Sequence, residues 1–507
     1  MRSKKAIYNI FSNILLQAVT IIYGFIVPKI IIDNYGSNVN GLISSITQFL
    51  AYITLLESGF GPVVKSILYK PIAKKDKQEI ASILKTSERF FRTISMLFLI
   101  YICLLSLIYP LIVKAEFGYI YTVSLVVIIS ISTFAEYYFG MTYRLYLQAE
   151  QKTYVISIIQ IISYILSTLL IVVVSILGAS IQIIKLVSCL AFVLRPILQN
   201  IYVKKKYNIN LDYALPKYEI KNKWDGLAQH IAAVIHGNTD ITILTFFCKI
   251  SEVSVYSVYY LVVKGIKAIV QSFTGGIDSL FGSMLANDEK DNLNKKFSLY
   301  EILYFMICTI AFSCTYLLIT PFISVYTAGI TDANYIRYTF GFLIVISEYV
   351  WAIRLPYSSI TLAAGHFKET RIGAWVECIS NIIISIVLVS KFGIIGVAIG
   401  TIIAMTIRTV EFVYHTNRYI LNRKINESLK KIILVILETM IIVIGSQFLP
   451  LIDYTNYISW GINAIIIALL ATIVTLIINF IFYKNEFKLL INILKNILKR
   501  KKNHEKH

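Results

Sequence analysis

Stretches of about twenty mostly apolar residues recur along nearly the whole chain, separated by short polar breaks. A helix of about 20 apolar residues crosses a hydrocarbon core about 30 Å thick. Of the 507 residues 57% are hydrophobic and 15% are charged, whereas a soluble domain carries about 25% charged residues. The alternating segments of about ten residues that build outer-membrane barrels are absent from the sequence. We therefore predict an all-α polytopic membrane protein with about fourteen transmembrane helices.

The polar breaks set the bounds of the predicted helices. These helices cover residues 7–32, 41–69, 93–113, 118–139, 154–177, 179–202, 226–248, 252–284, 298–321, 338–362, 371–390, 393–417, 430–449 and 457–483.

The distribution of basic residues predicts the orientation. The net charge is +20, which in a soluble protein would suggest nucleic-acid binding. Most of the 48 Lys and Arg, however, lie in the termini and in the even-numbered connections between apolar segments. By the positive-inside rule, both termini lie in the cytoplasm and the number of helices is even. The predicted environment is a lipid bilayer, and no nucleic-acid partner is expected.

The sequence contains an internal repeat. The segment LQAEQKTYVISIIQIISYILS, from Leu147, resembles LAAGHFKETRIGAWVECISNIIIS, from Leu362. A weaker match joins VNGLISS, from Val39, and VSVYSVY, from Val253. The offset of about 215 residues spans six helices, so the two halves share one orientation in the membrane. Two six-helix bundles related by a pseudo-two-fold axis are predicted, with helices 13 and 14 outside the repeat.

The repeat also divides the chain into predicted domains. These are an N-terminal bundle over 1–202, a basic cytoplasmic linker over 203–225, a C-terminal bundle over 226–418, helices 13 and 14 over 430–483, and a basic tail over 484–507. In the tail, Phe487, Leu490, Leu494 and Ile497 recur at helical spacing opposite Lys and Arg. This pattern is typical of an interfacial helix attracted to anionic lipid; a disordered basic tail is the alternative.

Several motifs together resemble one transporter family. In chain order they are VNGLISSITQFLAYITLLESGFG, LYKP, LQAEQK, HGNTD, IRLPYSSITLAAGHFK and KFGIIGVAIGT. Their order and spacing resemble the Wzx-type polysaccharide flippases of the multidrug/oligosaccharidyl-lipid/polysaccharide exporter (MOP) superfamily. The resemblance implies a V-shaped pair of bundles around a central cavity in a bacterial plasma membrane.

The same resemblance implies a substrate and partners. The expected substrate is an undecaprenyl-pyrophosphate-linked oligosaccharide, moved from the cytoplasmic to the outer leaflet for capsule, O-antigen or other surface polysaccharide synthesis. Ion-coupled alternating access is the implied mechanism. A polysaccharide polymerase and chain-length proteins are the implied protein partners.

Basic residues within the predicted helices are the candidate substrate-binding groups. A Lys or Arg at the centre of a membrane helix costs about 2.5–3.5 kcal/mol on insertion scales, so most must avoid lipid. Lys offers a point charge and Arg a bidentate fork to a pyrophosphate. The candidates are Lys264 and Lys267 on one face of helix 8, Arg354 beside Pro356, Lys65 and Lys185. Structural ion pairs are the alternative, as is extension of the side chain to the interface near a helix end.

Acidic and neighbouring polar residues within the helices are candidates for ion coupling. They are Asp240, His236 and Asn238 in the HGNTD motif of helix 7, Glu57 in helix 2, Glu348 in helix 10 and Glu377 in helix 11. Each carboxylate could exchange a proton or bind Na⁺, and a salt bridge to one of the cations is the alternative. The six cysteines lie in apolar segments without metal or redox spacing. No metal and no cofactor other than H⁺ or Na⁺ is expected.

Three other functions compete with the flippase. A peptidoglycan lipid-precursor flippase would need the same cationic cavity, whereas a drug or cation antiporter of the superfamily should favour acidic residues. A membrane polysaccharide polymerase or ligase would need a long outer loop for its catalytic residues. The longest outer connection, 322–337, contains one Arg and no pair of acids. The sequence therefore predicts a non-enzyme, and it has no GxxxxGK[ST] motif for ATP.

Overall fold

The structure is a computed structural model. It describes residues 2–57, 59–113, 116–207, 209, 227–274, 277–287 and 289–489. Most of the predicted linker lies outside these residues, as does the tail from Leu490 onward, including Leu494 and Ile497. The start of the predicted tail, 484–489, is helical.

Of the described residues 87% are helical, and no strand occurs among them. The helices of the first part are α1 (Arg2–Tyr35), α2 (Ser37–Ala51), α3 (Thr54–Glu57), α4 (Phe60–Lys74), α5 (Lys77–Ile112), α6 (Tyr119–Ala135), α7 (Met141–Ala149), α8 (Thr153–Ile176) and α9 (Ile181–Tyr207). Those of the second part are α10 (Leu227–Phe247), α11 (Ile250–Ser272), α12 (Ile277–Ala286), α13 (Lys290–Tyr326), α14 (Tyr338–Ala363), α15 (Arg371–Phe392), α16 (Ile394–His415), α17 (Asn426–Ser446) and α18 (Tyr457–Phe482).

Each of the fourteen predicted helices has a counterpart, but some of them are divided. The predicted helix 41–69 consists of α2, α3 and α4, and Gly59 takes a left-handed conformation with φ at 84° just before α4. Glycine adopts this conformation without the steric cost that a Cβ would bring. The predicted helix 252–284 appears as α11 and α12. The predicted helix 118–139 continues through a π-helical turn, Glu136–Gly140, into α7.

The helices are long and apolar enough for a membrane protein. Among the described residues, twelve helical segments meet the length and composition expected of a membrane span. The helices α10 and α17 are not among these twelve, although each is 21 residues long. The protein is thus a multi-pass, all-helical membrane protein, and fourteen spans fit its helix lengths.

Helix boundaries repeat along the chain. Three pairs of helices begin at one and the same offset, namely at Ser37 and Ile250, at Lys77 and Lys290, and at Ile181 and Ile394. The ends of α7 and α14, Ala149 and Ala363, are separated by almost the same length of chain. These spacings agree with the repeat of about 215 residues in the sequence, and they leave α17 and α18 outside it.

The ends of α7 and α14 also share one capping geometry. After α7, Gln151 has φ at 58°, and after α14, Gly365 has φ at 77°. In each case the next backbone N–H closes the turn on a carbonyl five residues earlier: Lys152 N on Leu147 O at 2.9 Å and His366 N on Thr361 O at 3.2 Å. This is the six-to-one bond of a Schellman cap. The two segments of the internal repeat that begin at Leu147 and Leu362 therefore share the same turn geometry.

The contacts divide the chain into two compact units. The first unit comprises Met1–Leu261, Gly329–Ala333 and Val389–Val397, and the second comprises Val262–Ala328, Asn334–Leu388 and Ala398–His507.

The two units have different packing centres. In the first unit α8 packs between α1 and α9, α6 packs on α9, and α2 contacts α1, α6 and α10. In the second, α14, α17 and α18 pack around α13. The domain bounds drawn from the repeat stay a prediction, because compact units need not coincide with repeated halves of a chain.

Candidate functional site

Two of the predicted site residues form an ion pair in the second unit. The Lys267 Nζ on α11 lies 2.7 Å from Glu348 Oε2 on α14. The same ammonium lies over the Trp351 ring, 3.9 Å from its centroid, where the negative ring face attracts a cation. Glu348 is buried. The carboxylate and the indole together fix the position of Lys267.

Two further predicted residues meet in a second ion pair of this unit. Arg354 Nη1 on α14 donates to Glu377 Oε1 on α15 at 2.6 Å. Arg408 on α16 approaches the other oxygen of Glu377 at 3.7 Å and lies 2.5 Å from Glu411. Its guanidinium also donates to the backbone oxygen of Thr370 at 2.7 Å. Glu377 therefore has the salt-bridge geometry that was the alternative to ion coupling.

Lys264 differs from Lys267, one turn further along α11. Its side chain is exposed. Among the described residues, no carboxylate oxygen lies within the 4.0 Å that defines a salt bridge to its ammonium. Of the two predicted lysines on this helix face, Lys267 is held in an ion pair, whereas the Lys264 ammonium can bind an anion.

The remaining predicted cations lie in the first unit. Lys65 on α4 and Lys185 on α9 are both half-buried, and neither forms an ion pair with a described residue. Lys185 lies in the first two turns of α9, which begins at Ile181. A long side chain so close to a helix end can extend to the membrane interface.

Two of the predicted ion-coupling residues in the first unit accept hydrogen bonds from neutral side chains. The Tyr256 hydroxyl donates to Asp240 Oδ2 at 2.8 Å. The Gln48 side-chain amide donates to Asn238 Oδ1. His236 lies within α10, but its side chain is outside the described part of the structure.

Glu57, at the end of α3, also lies in the first unit and is half-buried. It accepts a hydrogen bond from the Tyr137 hydroxyl at 2.9 Å. The carboxyl is therefore oriented by a neutral hydroxyl at the junction between α3 and the π-helical turn.

Neutral hydrogen bonds connect α2 to α10 and α11 within the first unit. Asn40 Nδ2 donates to Ser254 Oγ at 2.8 Å, and the hydroxyls of Ser45 and Thr245 are 2.7 Å apart. Gly41 allows α2 to approach closely, because a Cβ at this position would clash with the backbone oxygen of Ile250. The separation of Asn40 and Ser254 along the chain matches the repeat, so these equivalent positions of the two halves contact each other.

A large apolar pocket of about 800 Å³ lies in the second unit. Residues of α13, α14, α16 and α17 line it, including Phe312, Tyr349, Val410, Ile436 and Met440. Ligand pockets commonly measure about 300–1,000 Å³, so this one is near the upper end. Several lining side chains, such as Met440, are exposed, and the pocket therefore opens to the surroundings of the protein.

A buried charge cluster beside this pocket was missed in the sequence. Glu301 on α13 is fully buried and pairs with Lys431 Nζ at 2.5 Å and with Arg423 Nη2 at 2.9 Å. The Tyr357 hydroxyl and the Ser428 hydroxyl also donate to this carboxylate. Glu301 and Lys431 lie at the starts of predicted helices, and Arg423 lies in the connection before the second of these. All three therefore resembled ordinary interfacial charges in the sequence.

Comparisons with known proteins bear on the fold. No family model and no curated protein sequence matches the chain. The solved structure of the lipid II flippase MurJ in an inward closed conformation has a TM-score of 0.68 and 17% identity, covering 94% of this chain and 99% of its own. An inward-facing multidrug resistance MATE family transporter has a TM-score of 0.60 and 14% identity, covering 82% of this chain and 96% of its own. The chain therefore shares the fold of these two structures.

A third structure with this fold is a MOP superfamily transporter from Pyrococcus furiosus, described as having a binding pocket of reverse polarity. Its TM-score is 0.57 at 14% identity, and the match covers 83% of this chain and 97% of its own. The all-helical membrane-protein architecture predicted from the sequence is therefore confirmed. The roles of the individual site residues stay predictions, because likeness at this identity concerns the fold.

Proposed function

We propose that this protein moves an undecaprenyl-pyrophosphate-linked oligosaccharide from the cytoplasmic to the outer leaflet of a bacterial plasma membrane, by ion-coupled alternating access. The glycan would be a repeat unit of capsule, O-antigen or another surface polysaccharide. A polymerase and chain-length proteins would then use the exported unit. Both termini would lie in the cytoplasm, as the positive-inside rule predicts.

The apolar pocket of the second unit carries this proposal. A substrate with a long polyprenyl chain needs an apolar binding surface of its own, in addition to a site for its headgroup. The pocket has an apolar lining, and its volume of about 800 Å³ accommodates part of such a chain. One of its walls is α17, which lies outside the six-helix repeat.

The charges of the same unit favour an anionic headgroup. Around the two ion pairs lie four cations and three carboxylates, which are Lys264, Lys267, Arg354, Arg408, Glu348, Glu377 and Glu411. The net charge of these seven residues is one positive charge. Among the described residues, Lys264 is the cation of this group that has no carboxylate partner. A pyrophosphate would supply the missing anion. An inside-negative potential would favour its outward movement by about 2.3 kcal/mol per charge per 100 mV.

The test is a flipping assay in proteoliposomes containing the lipid-linked oligosaccharide. The variant Ile436→Trp should slow flipping at least about tenfold, equivalent to about 1.4 kcal/mol, because the larger indole projects into the pocket and hinders binding of the chain. The matched control is Ile433→Trp on the same helix: Ile433 is 55% exposed and Ile436 49% exposed, but only Ile436 lines the pocket. Equal rates for the two variants would contradict a role for the pocket in transport.

Lys264 provides a separate test of the headgroup site. Lys264→Gln should reduce export strongly, and Lys264→Ala combined with Lys267→Ala should abolish it, while membrane insertion stays intact. The control is Lys391→Gln, at the exposed end of α15. Normal surface polysaccharide in cells that carry the double variant would exclude this site.

A peptidoglycan lipid-precursor flippase is the second candidate. The structural match to MurJ, which covers 94% of this chain, favours it. Its substrate shares the polyprenyl pyrophosphate and differs in the headgroup, so the pocket and Lys264 fit both. Proteoliposomes that contain either lipid distinguish the two candidates. A third arm with a cationic dye tests the antiporter function. We expect no dye transport, because the charges around Lys264 and the two ion pairs sum to one positive charge.

A further inference from the structure

A buried carboxyl lies near the middle of α17. This helix of 21 residues begins at Asn426. At 1.5 Å per residue Glu438 lies about 18 Å along a helix of about 31 Å. Only 1% of Glu438 is exposed, whereas Ile433 and Leu437 on the other side of the helix are exposed. A carboxyl at this depth and this degree of burial is rare in membrane helices and marks a functional site by default.

The partners of Glu438 are neutral. Asn479 Nδ2 on α18 donates to Glu438 Oε1 at 2.5 Å, and the Thr309 hydroxyl on α13 faces the same carboxyl. In the described part of the chain, no Lys, Arg or His nitrogen lies within 4.0 Å of Glu438. Glu348 and Glu377, in contrast, each have a cation within 2.7 Å. An ionised Glu438 would therefore be a buried charge without compensation, which is strongly unfavourable.

A cavity connects this carboxyl to the buried charge cluster. It has a volume of about 10 Å³, and Glu438, Asn479, Tyr483 and Lys431 are among the residues that line it. A cavity of this size has room for about one water molecule. Lys431 in turn pairs with Glu301 at 2.5 Å. Two tyrosines also face Glu438, namely Tyr349 on α14 and Tyr483, which follows the end of α18.

The same carboxyl is linked to the apolar pocket. The Tyr349 hydroxyl donates to Thr309 Oγ1 at 3.0 Å and lies 3.3 Å from Thr439 Oγ1. Tyr349 and Thr439 both line the pocket. A change in the charge of Glu438 would therefore reach the pocket wall through two hydroxyl groups.

We propose that Glu438 is a proton-binding site, which takes up one proton on its carboxylate and releases it through the small cavity toward the Lys431–Glu301 pair. Solvent supplies and accepts the proton, and no other bond changes. The helix pair α17–α18 then holds a coupling group that lies outside the repeated bundles. The link between proton binding and lipid transport rests on the proposed function, whereas proton binding itself does not.

Infrared difference spectra of the purified protein in vesicles, between mildly alkaline and mildly acidic pH, test the proton site directly. The wild type should show the carbonyl band of a protonated carboxyl, and Glu438→Gln should lose it. The Gln side chain has the same shape and can still accept from Asn479, so folding is retained; the unfolding temperature checks this. The control, Glu427→Gln, changes an exposed carboxyl on the same helix and should keep the band. An unchanged band in Glu438→Gln would overturn the site.

A transport measurement tests the coupling. With the lipid-linked oligosaccharide in proteoliposomes, the wild-type initial rate should change with an imposed pH gradient. The rate of Glu438→Gln should be the same with and without the gradient. A normal gradient response in this variant would overturn the coupling role. Absence of lipid transport by the wild type would contradict the proposed function, while the infrared result would still decide whether Glu438 binds a proton.

Discussion

The polar contacts along α2 differ in kind from those between α11, α14 and α15. In the first unit, α2 is joined to α10 and α11 by hydroxyl and amide groups, such as Asn40 with Ser254. In the second unit, carboxylates pair with Lys and Arg, as in Lys267 with Glu348. Hydrogen bonds between membrane helices average about 0.6 kcal/mol. Separating one partner from a buried ion pair costs about 3–5 kcal/mol.

Under the proposed function, this difference predicts which contacts open during a transport cycle. The neutral contacts of α2 can separate at small cost, because each side can find another hydrogen-bond partner. The ion pairs keep their helices together, because an uncompensated charge at membrane depth is expensive. We infer that α2 moves against α10 and α11, while the charged contacts of the second unit persist. Three substitutions test this comparison, beginning with the largest expected effect.

Glu301→Leu should lower the free energy of unfolding by about 3–5 kcal/mol, because it leaves Lys431 and Arg423 as buried charges without their carboxylate. Chemical unfolding of the purified protein in detergent measures the change. Glu427→Leu removes an exposed carboxylate near the same Arg423, 3.8 Å away, and should cost at most about 1 kcal/mol. Similar losses for the two variants would mean that the cluster does not stabilise the second unit.

Arg354→Leu should lower the free energy of unfolding by about 1–3 kcal/mol. This decrease is smaller than that of Glu301→Leu, because Arg408 remains 3.7 Å from Glu377. Adding Glu377→Leu should not double this loss, since the two residues interact directly. The double-mutant cycle, measured by the same unfolding experiment, gives their coupling energy. Additive losses would show that the 2.6 Å contact between Arg354 and Glu377 contributes nothing.

Asn40→Ala should cost least, about 0.6 kcal/mol, because it removes one neutral contact between α2 and α11. If α2 separates from α11 during transport, the substitution should change the flipping rate more than the stability. Ser66→Ala is a control, because the Ser66 hydroxyl bonds to the carbonyl of Val63 within its own helix. If Asn40→Ala lowered the free energy of unfolding by several kcal/mol, the neutral contacts of α2 would be as strong as the ion pairs of the second unit, and the comparison would be wrong.

The sequence predicted the helices well and the interaction partners of individual residues less well. Each predicted helix was found, since runs of about 20 apolar residues leave a membrane chain few alternatives to a helix. The break at Gly59 was missed, because apolar residues on both sides hid the left-handed glycine. Lys264 and Lys267 were predicted as an equivalent pair, and the structure gives an ion-pair partner only to Lys267 among the described residues. Glu438 was overlooked, although an acid within IILVILETMIIVIG is visible in the sequence.

Hydropathy, charge bias and the internal repeat can all be read along the chain. Together they determined the class of protein, the number of helices and the six-plus-six arrangement with two helices outside it. Helix–helix packing alone decided which intramembrane charges are neutralised. Partners such as Arg354 and Glu377, or Glu301 and Lys431, lie 23 and 130 residues apart. Such a pairing depends on how each helix is rotated about its axis. Rotation is set by side-chain packing over the whole bundle, and no local pattern encodes it.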